Sequence, residues 1–303
     1  TSEGSRQFRH RFIDLDALVF TNLAPEHIES HGSLEAYANA KLEIGTQLTR
    51  SKKRPRYMVA NAEDTVGAQF LTLPVEHTLA FAISAVNPKP LETSGTFSLE
   101  GEEFRINFPG MFSLANALAA ATLARAMGIR VEQIKAGLTS LTKIPGRTEH
   151  IDAGQDFLVV VDYAHTPDSL KALYAAYGTR RKICVLGSTG GGRDTWKRPV
   201  MGSIAEESCD RVILTNEDPY DEDPRSIVDA LARGMKNEKP EIVMDRREAI
   251  HQAVSLAKKG DAVLISGKGT DPCICGPKGS RLPWSDATVA REELEKLKTT
   301  RES

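Results

Sequence analysis

The chain is predicted to be α/β, with a doubly wound parallel sheet in its second half. Three observations lead there. Short apolar runs alternate with helical patterns: FLVVVD (157–162), KICVLG (182–187), RVILT (211–215), EIVM (241–244) and AVLIS (262–266) are separated by helices starting at Pro167, near 197–208, at Pro224 and at Arg246. The helix signals agree. Thr166-Pro167 is an N-cap followed by proline at the first helical position, and Asp245 caps a helix over 246–259 that Gly260 stops. Every long strand then runs into polar, glycine-rich or charged residues. Asp162-Tyr163-Ala164-His165 follows the first, Gly187 to Asp194 the second, Thr215 to Pro219 the third and Ser266 to Asp271 the last. All fall on one edge of the sheet, where open parallel sheets bind ligands.

The first half is less regular. DALVF (16–20) and RYMVA (56–60) have the composition of buried strands, and residues 33–49 and 113–127 of helices, with Ser33 and Ser113 as N-caps. TFSLEGEEFRINF (96–108) is a hairpin turning at Glu100-Gly101-Glu102. The helical pattern breaks at Pro145-Gly146, which sets domains of 1–145 and 146–303.

Composition narrows the function. With 303 residues and 40% hydrophobic content the chain fills two ordinary cores. A net charge of −2 argues against a nucleic-acid partner held by a basic field. No apolar run is long enough for a membrane helix, and the start TSEGSRQFRHRF is polar and basic. A cytoplasmic monomer is expected. The four cysteines are too few for a disulfide scaffold, and Cys273 and Cys275 form a single CxC without a second pair at zinc spacing. Reduced thiols are the expectation.

Lys41 is out of place. Leu34, Tyr37, Lys41, Ile44 and Leu48 share one helical face, and four of the five are apolar. A lysine there either snorkels its ammonium to water or is partly desolvated and available for chemistry. A neutral lysine amine adds carbon dioxide to give a carbamate, an oxygen donor suited to Mg²⁺. Glu26 and His27 follow a strand end, as local hydrogen-bond partners or, for His27, as a metal ligand facing phosphates.

In combination these residues are specific. TNLAPEHIESHGSLEAYANAK (21–41) resembles the central-domain signature of the Mur ligase family, in particular of its tripeptide-forming members. The resemblance continues in order through VANAED (59–64), FPGMFSLANALAAATLARAMGI (108–129), IPGRTEHID (144–152), VDYAHTPDSL (161–170), GSTGGGRDTWKRPVMG (187–202), TNEDPYDEDP (215–224) and GKGTD (267–271). It implies the remainder of a central ATPase domain followed by a Rossmann-like C-terminal domain. It also implies an ATP- and Mg²⁺-dependent ligase that adds a free amino acid to a UDP-N-acetylmuramoyl dipeptide through an acyl phosphate. By motif position, Lys41 (as a carbamate) and His27 would hold Mg²⁺. Asn116 would contact adenine, Arg147 the ATP phosphates and Asp162 the ribose, with His165 near the phosphates. Arg193, Lys197 and Arg198 would bind the peptide substrate or a carboxylate. Glu217, Asp218, Tyr220, Gly267 and Asp271 would line the amino-acid site.

The sequence departs from the family in three ways. No GxxGKT-type loop occurs in residues 1–303, so the chain resembles the back two-thirds of such a ligase and is expected not to ligate alone. The selector reads Glu217-Asp218-Pro219-Tyr220 where diaminopimelate ligases carry Asp-Asn-Pro-Arg, which suits lysine or ornithine. Ser113 stands where the family has asparagine, leaving the adenine contact to Asn116. The alternatives are a nucleotide-binding regulatory module or another ligase of the superfamily, such as a folylpolyglutamate or cyanophycin synthetase-like enzyme.

Overall fold

The computed structural model describes residues 2–24, 32–178, 180–236 and 240–302. His27, with Glu26 and His31, lies outside the described residues. The chain divides into two compact units, Thr1–Thr142 and Lys143–Ser303.

Unit 1 begins with a short helix, Ser2–Arg6, and is then built on three parallel strands in the order β1 (Ala17–Phe20), β2 (Tyr57–Asn61), β3 (His77–Phe81). Both faces of this sheet are covered, because successive side chains of a strand point to opposite sides. Met58 and Ala60 face Leu48, Phe20 and Phe70, while Val59 between them faces Phe81, Phe97, Phe104 and Leu114. Helix Leu34–Arg50, N-capped by Ser33, lies on the first side. Its last turn is tied down by Arg56, which donates to Leu48 O and grips Glu76 through Nε (2.9 Å) and Nη2 (2.8 Å). Strands β4 (Lys89–Pro90), β5 (Gly95–Leu99) and β6 (Glu102–Ile106) form a small antiparallel sheet. Glu100 and Gly101 both take positive φ (51° and 82°), the requirement of a two-residue hairpin turn that matches strand twist.

Helix Gly110–Ala126 starts three residues earlier than expected. Its N-cap is Pro109, extended at φ −77°, ψ 161°, and Ser113 lies within the first turn instead of capping it. Helix Val131–Ser140 completes the unit.

Unit 2 is a six-stranded sheet in the order β11-β10-β9-β12-β8-β7. The strands are β7 (Glu149–His150), β8 (Leu158–Asp162), β9 (Lys182–Leu186), β10 (Arg211–Leu214), β11 (Glu241–Ile242) and β12 (Ala262–Ser266). All are parallel except β7, which pairs antiparallel with β8. The inward residues alternate along each strand. Val159, Val161, Ile183, Val185, Val263 and Ile265 pack with helices Arg246–Leu256 and Asp286–Glu302. Val160, Cys184, Leu186, Leu214 and Leu264 pack with helices Pro167–Ala176, Lys197–Ser208 and Pro224–Ala232. Thr166, Asp223 and Asp245 cap their helices through the side-chain oxygen. The helix after Asp245 ends at Leu256, short of 259, because Ala257 turns extended (φ −71°, ψ 140°). A hairpin of β13 (Cys273–Cys275) and β14 (Arg281–Pro283) leads into the last helix.

The thiol expectation is corrected for one pair. Cys184 on β9 and Cys209, just past helix Lys197–Ser208, are joined by a disulfide, since the strand and the helix end bring them together across the packed face. Cys273 and Cys275 are free. No helix among the described residues is long and apolar enough to cross a membrane.

Candidate active site at the carboxyl edge of the sheet

The carboxyl ends of β8, β9, β10 and β12 lie side by side in unit 2, and the expected site residues of the second half follow them, whereas Lys41 and Asn116 lie in unit 1. Asp162 ends β8. Its Oδ2 accepts from Thr148 N and its Oδ1 from Ala164 N, each at 2.7 Å, so the carboxylate pins segment 146–149 to the strand end. Burial raises its pKa, and the two backbone donors pull it back. Thr148 is held at φ 41°, uncommon and strained for a β-branched residue, and the bond to Asp162 helps to hold it there. The turn is tight because Gly146 packs on Gly269: a Cβ on Gly146 would lie 2.4 Å from the Gly269 carbonyl carbon.

Arg147 projects from this turn with its guanidinium 4.5 Å from the Tyr163 ring centroid. His165 meets the same ring edge-on at 4.7 Å, and its Nδ1 donates to Tyr163 O at 2.7 Å. His165 lies near enough to Asp162, Glu217 and Asp271 to pull each of their pKa values down slightly against burial, which raises all three. A guanidinium and an imidazole therefore flank one aromatic ring at the end of β8.

Glu217 follows β10 and is 2% exposed. Oε1 accepts from Thr189 Oγ1 at 2.9 Å, while Oε2 is buried with no hydrogen-bond partner among the described residues. Burial raises this carboxyl's pKa against the opposing field of Arg246. Two glycines make its space. A Cβ on Gly267, which sits at φ +107°, would lie 2.1 Å from Oε2, and one on Gly187 would lie 2.8 Å from Glu217 Cβ.

Other expected ligands are already engaged within the fold. Asp218 is gripped by Lys268 Nζ at 2.8 and 2.7 Å and by Cys275 N at 2.7 Å. Arg198, which is buried, makes a two-pronged pair with Glu222 at 2.6 and 2.8 Å and donates to Thr189 O at 3.3 Å. Both act as braces: Glu222 also accepts from Gly192 N, and Gly190 N donates to Asp218 O at 2.7 Å, so the glycine loop is clamped from two sides. Lys197 is buried beside Arg198. Arg193 is exposed and lies over Tyr220, 4.9 Å from the ring centroid. Asp271 Oδ2 is 3.9 Å from Lys268 Nζ.

Sequence reasoning missed Lys268, Arg246, Thr189 and Glu222. Arg246 is fully buried and pairs with Asp286 at 2.8 and 2.7 Å, donating also to Ser266 O and Asn216 O. It thus joins the ends of β12 and β10. Lys268 carried a signal: a lysine between two glycines directly after a buried strand has no apolar surface along which to snorkel.

In unit 1, Lys41 is half-buried on the inner side of its helix, with Nζ 5.1 Å from the Tyr37 ring centroid. Tyr37 and Leu48 are buried as expected, but Leu34 is 42% exposed and Gly45 takes the inner position. Asn116 and Thr21 are the polar residues lining a cleft of about 500 Å³, otherwise walled by Val19, Ala119, Ala120, Leu123, Ala124, Met127 and Ile129.

Comparison with known families agrees with this architecture. Residues 1–124 match the Mur ligase middle domain and residues 146–269 match the Mur ligase glutamate ligase domain. The chain belongs to the Mur ligase family. Among its relatives, the UDP-N-acetylmuramoyl-L-alanyl-D-glutamate–2,6-diaminopimelate ligase of Syntrophomonas wolfei is 37% identical over 301 residues, covering 93% of this chain and 60% of that protein. The ligase of the same name from Bacillus cereus is 35% identical over 297 residues, with 93% and 60% covered. A solved structure of a 2,6-diaminopimelate ligase of that name superposes with a TM-score of 0.60 at 27% identity, over 98% of this chain and 64% of that one. The alanine ligase MurC of Thermotoga maritima shares the fold, with a TM-score of 0.67 at 17% identity over 98% of this chain and 62% of that one. The chain spans about 60% of the length of the curated relatives it matches.

Proposed function

We propose that the protein serves an ATP-dependent amide ligase. The terminal carboxylate of a UDP-N-acetylmuramoyl dipeptide is phosphorylated by ATP. The amine of a free amino acid then attacks the acyl phosphate, and the tetrahedral intermediate collapses with loss of phosphate. The observation that carries this reading is the convergence of Arg147, His165, the clamped glycine loop and the buried Glu217 on one sheet edge. Phosphoryl transfer calls for preorganised cations, and amine recognition calls for a desolvated carboxylate.

Each unit supports part of the reading. In unit 1 the cleft beside Asn116 has a purine's requirements, apolar walls with an amide at one edge. In unit 2, Arg147 and His165 are the groups proposed for the phosphates, and Asp162 for the ribose, through acceptor capacity left beside its two backbone bonds. For Mg²⁺, His27 lies outside the described residues, and no group of three or more His, Cys, Asp or Glu gathers among the described ones. His27 and Lys41, as its carbamate, are the ligands proposed for the ion, which would neutralise charge on the transferring phosphoryl group.

For the amino acid we propose lysine or ornithine. Glu217, whose buried Oε2 has no hydrogen-bond partner among the described residues, is the acceptor proposed for an ammonium, and Tyr220 stands at the motif position where diaminopimelate ligases carry arginine. Asp218 is satisfied by Lys268 and positions this loop. Asp271 borders the pair, and Arg193 and Lys197 are offered to substrate carboxylates. The relatives are named for diaminopimelate, so the two readings separate in one assay. The complete gene product is incubated with ATP, Mg²⁺, the UDP-linked dipeptide and a panel of amino acids, and products are read by mass. A lysine or ornithine adduct with one phosphate released per amide is the expected result. Diaminopimelate as sole substrate overturns the selectivity. No adduct with any diamino acid overturns the ligase reading.

A further inference from the structure

The free cysteines lie outside everything assigned above. Cys273 and Cys275 stand two apart on β13, which puts both side chains on one face of the strand. Their sulfurs are 3.8 Å apart, and both residues are half-buried, so solvent reaches them. With metal–thiolate bonds of about 2.3 Å, a 3.8 Å separation sets an S–M–S angle of about 110°, the edge of a tetrahedron. Burial and the neighbouring Cys275 thiol raise the pKa of Cys273, and the charges of Arg281 and Lys268 offset part of that rise.

We propose that Cys273 and Cys275 form a two-thiolate chelating site for a thiophilic d¹⁰ cation of the Zn²⁺ class. Two S–M bonds form, two S–H bonds break, both protons leave to solvent, and no electrons transfer. No group of three or more His, Cys, Asp or Glu gathers among the described residues. The remaining positions therefore belong to water or a small exogenous ligand, and the ion exchanges. Soft thiolates select such cations over Mg²⁺.

The position gives the site a consequence. Cys273 O accepts from Lys268 Nζ at 2.6 Å, Cys275 N donates to Asp218 Oδ1 at 2.7 Å, and Cys275 O accepts from Tyr220 N at 3.0 Å. A cation bridging the two side chains stiffens the strand from which Asp218, Lys268 and Tyr220 are held.

The test is cadmium binding to the intact protein, reduced and freed of reductant. Cadmium chloride is titrated while the ultraviolet cadmium–thiolate charge-transfer band is followed, and stoichiometry is taken by equilibrium dialysis. One Cd²⁺ per chain is expected, competed by Zn²⁺, with affinity about 100-fold lower or worse in C273S and in C275S. Bound Cd²⁺ also protects both cysteines of the wild-type chain from alkylation, a readout that needs no variant to fold. Absence of the thiolate band, equal binding by C273S, or unprotected alkylation at saturating Cd²⁺ overturns the proposal.

Discussion

Lys268 Nζ lies 2.8 and 2.7 Å from the two carboxylate oxygens of Asp218, in a pair of which the lysine is 1% exposed. The ammonium that Asp218 was expected to bind from outside is thus supplied by the chain itself. Removing one partner of such a pair leaves an uncompensated buried charge. Lys268→Met is expected to cost about 3–5 kcal/mol in denaturant unfolding. Adding Asp218→Asn removes the orphaned charge while keeping an acceptor for Cys275 N, so the double variant is expected to be more stable than Lys268→Met alone. Additive losses would contradict the coupling.

Gly267 and Glu217 form a second coupled pair. Gly267→Ala places a methyl 2.1 Å from Oε2 at a backbone φ of +107°. It is expected to destabilise the protein by about 1–3 kcal/mol. Glu217→Ala in the same chain should return the steric part of that loss and leave the backbone part. Glu217→Gln is a separate probe. The carboxyl's folded pKa is raised by burial, so the stability cost of ionising it appears as pH rises through that pKa. The glutamine variant is expected to be more stable than wild type at neutral pH, and the advantage should disappear on acidification below the ordinary glutamate range.

Glu76 behaves in the opposite sense. Its bonds to Arg56 lower its pKa from 4.5 to about 2. The stabilisation is present above 4.5 and is lost as pH falls through about 2. Wild type is therefore expected to exceed Glu76→Gln in thermal midpoint at neutral pH, the two converging across that acid window.

The Cys184–Cys209 bond encloses 25 residues of separation, including the glycine loop and the helix that carries Lys197 and Arg198. Alkylation of the native protein without reductant is expected to label two cysteines, and four after reduction and unfolding. Replacing both bonded cysteines with alanine is expected to cost about 3 kcal/mol.

Asn116 is exposed at the rim of its cleft, so Asn116→Ala should leave folding intact. Under the proposed function it is expected to weaken ATP binding about 10-fold, the size of one hydrogen bond, by calorimetry on the complete gene product.

Much of the fold was legible because the sequence states it locally. The strand–helix alternation of unit 2, the capping residues Thr166 and Asp245, and the hairpin at Glu100-Gly101 all follow from neighbouring residues. The edge where the site lies was legible for the same reason, since each strand announces its polar end. Partnership was not. Nothing near Asp218 shows that Lys268, fifty residues on, will consume its charge, or that Arg198 will be taken by Glu222. Nothing near Cys184 shows that Cys209 folds back against it. Such pairings are set by sheet order, which residue spacing does not encode. Helix ends were misjudged where an extended residue, Pro109 or Ala257, outweighed the pattern around it.

Strand order also dictates when the site comes into being. β12 is the last parallel strand of unit 2 to leave the ribosome, yet it takes the slot between β8 and β9, the first two. Until residue 266 has been made, the two earlier strands have no neighbour to bridge them, and Gly267 and Lys268 are not there to enclose Glu217 or hold Asp218. The chemistry-bearing edge therefore cannot mature strand by strand during synthesis. Its closure waits for β12, through contacts distant in sequence. A partly made chain carries the acidic loop without its lysine. An interrupted translation product would thus be incompetent at this edge, whatever fraction of its helices had already formed.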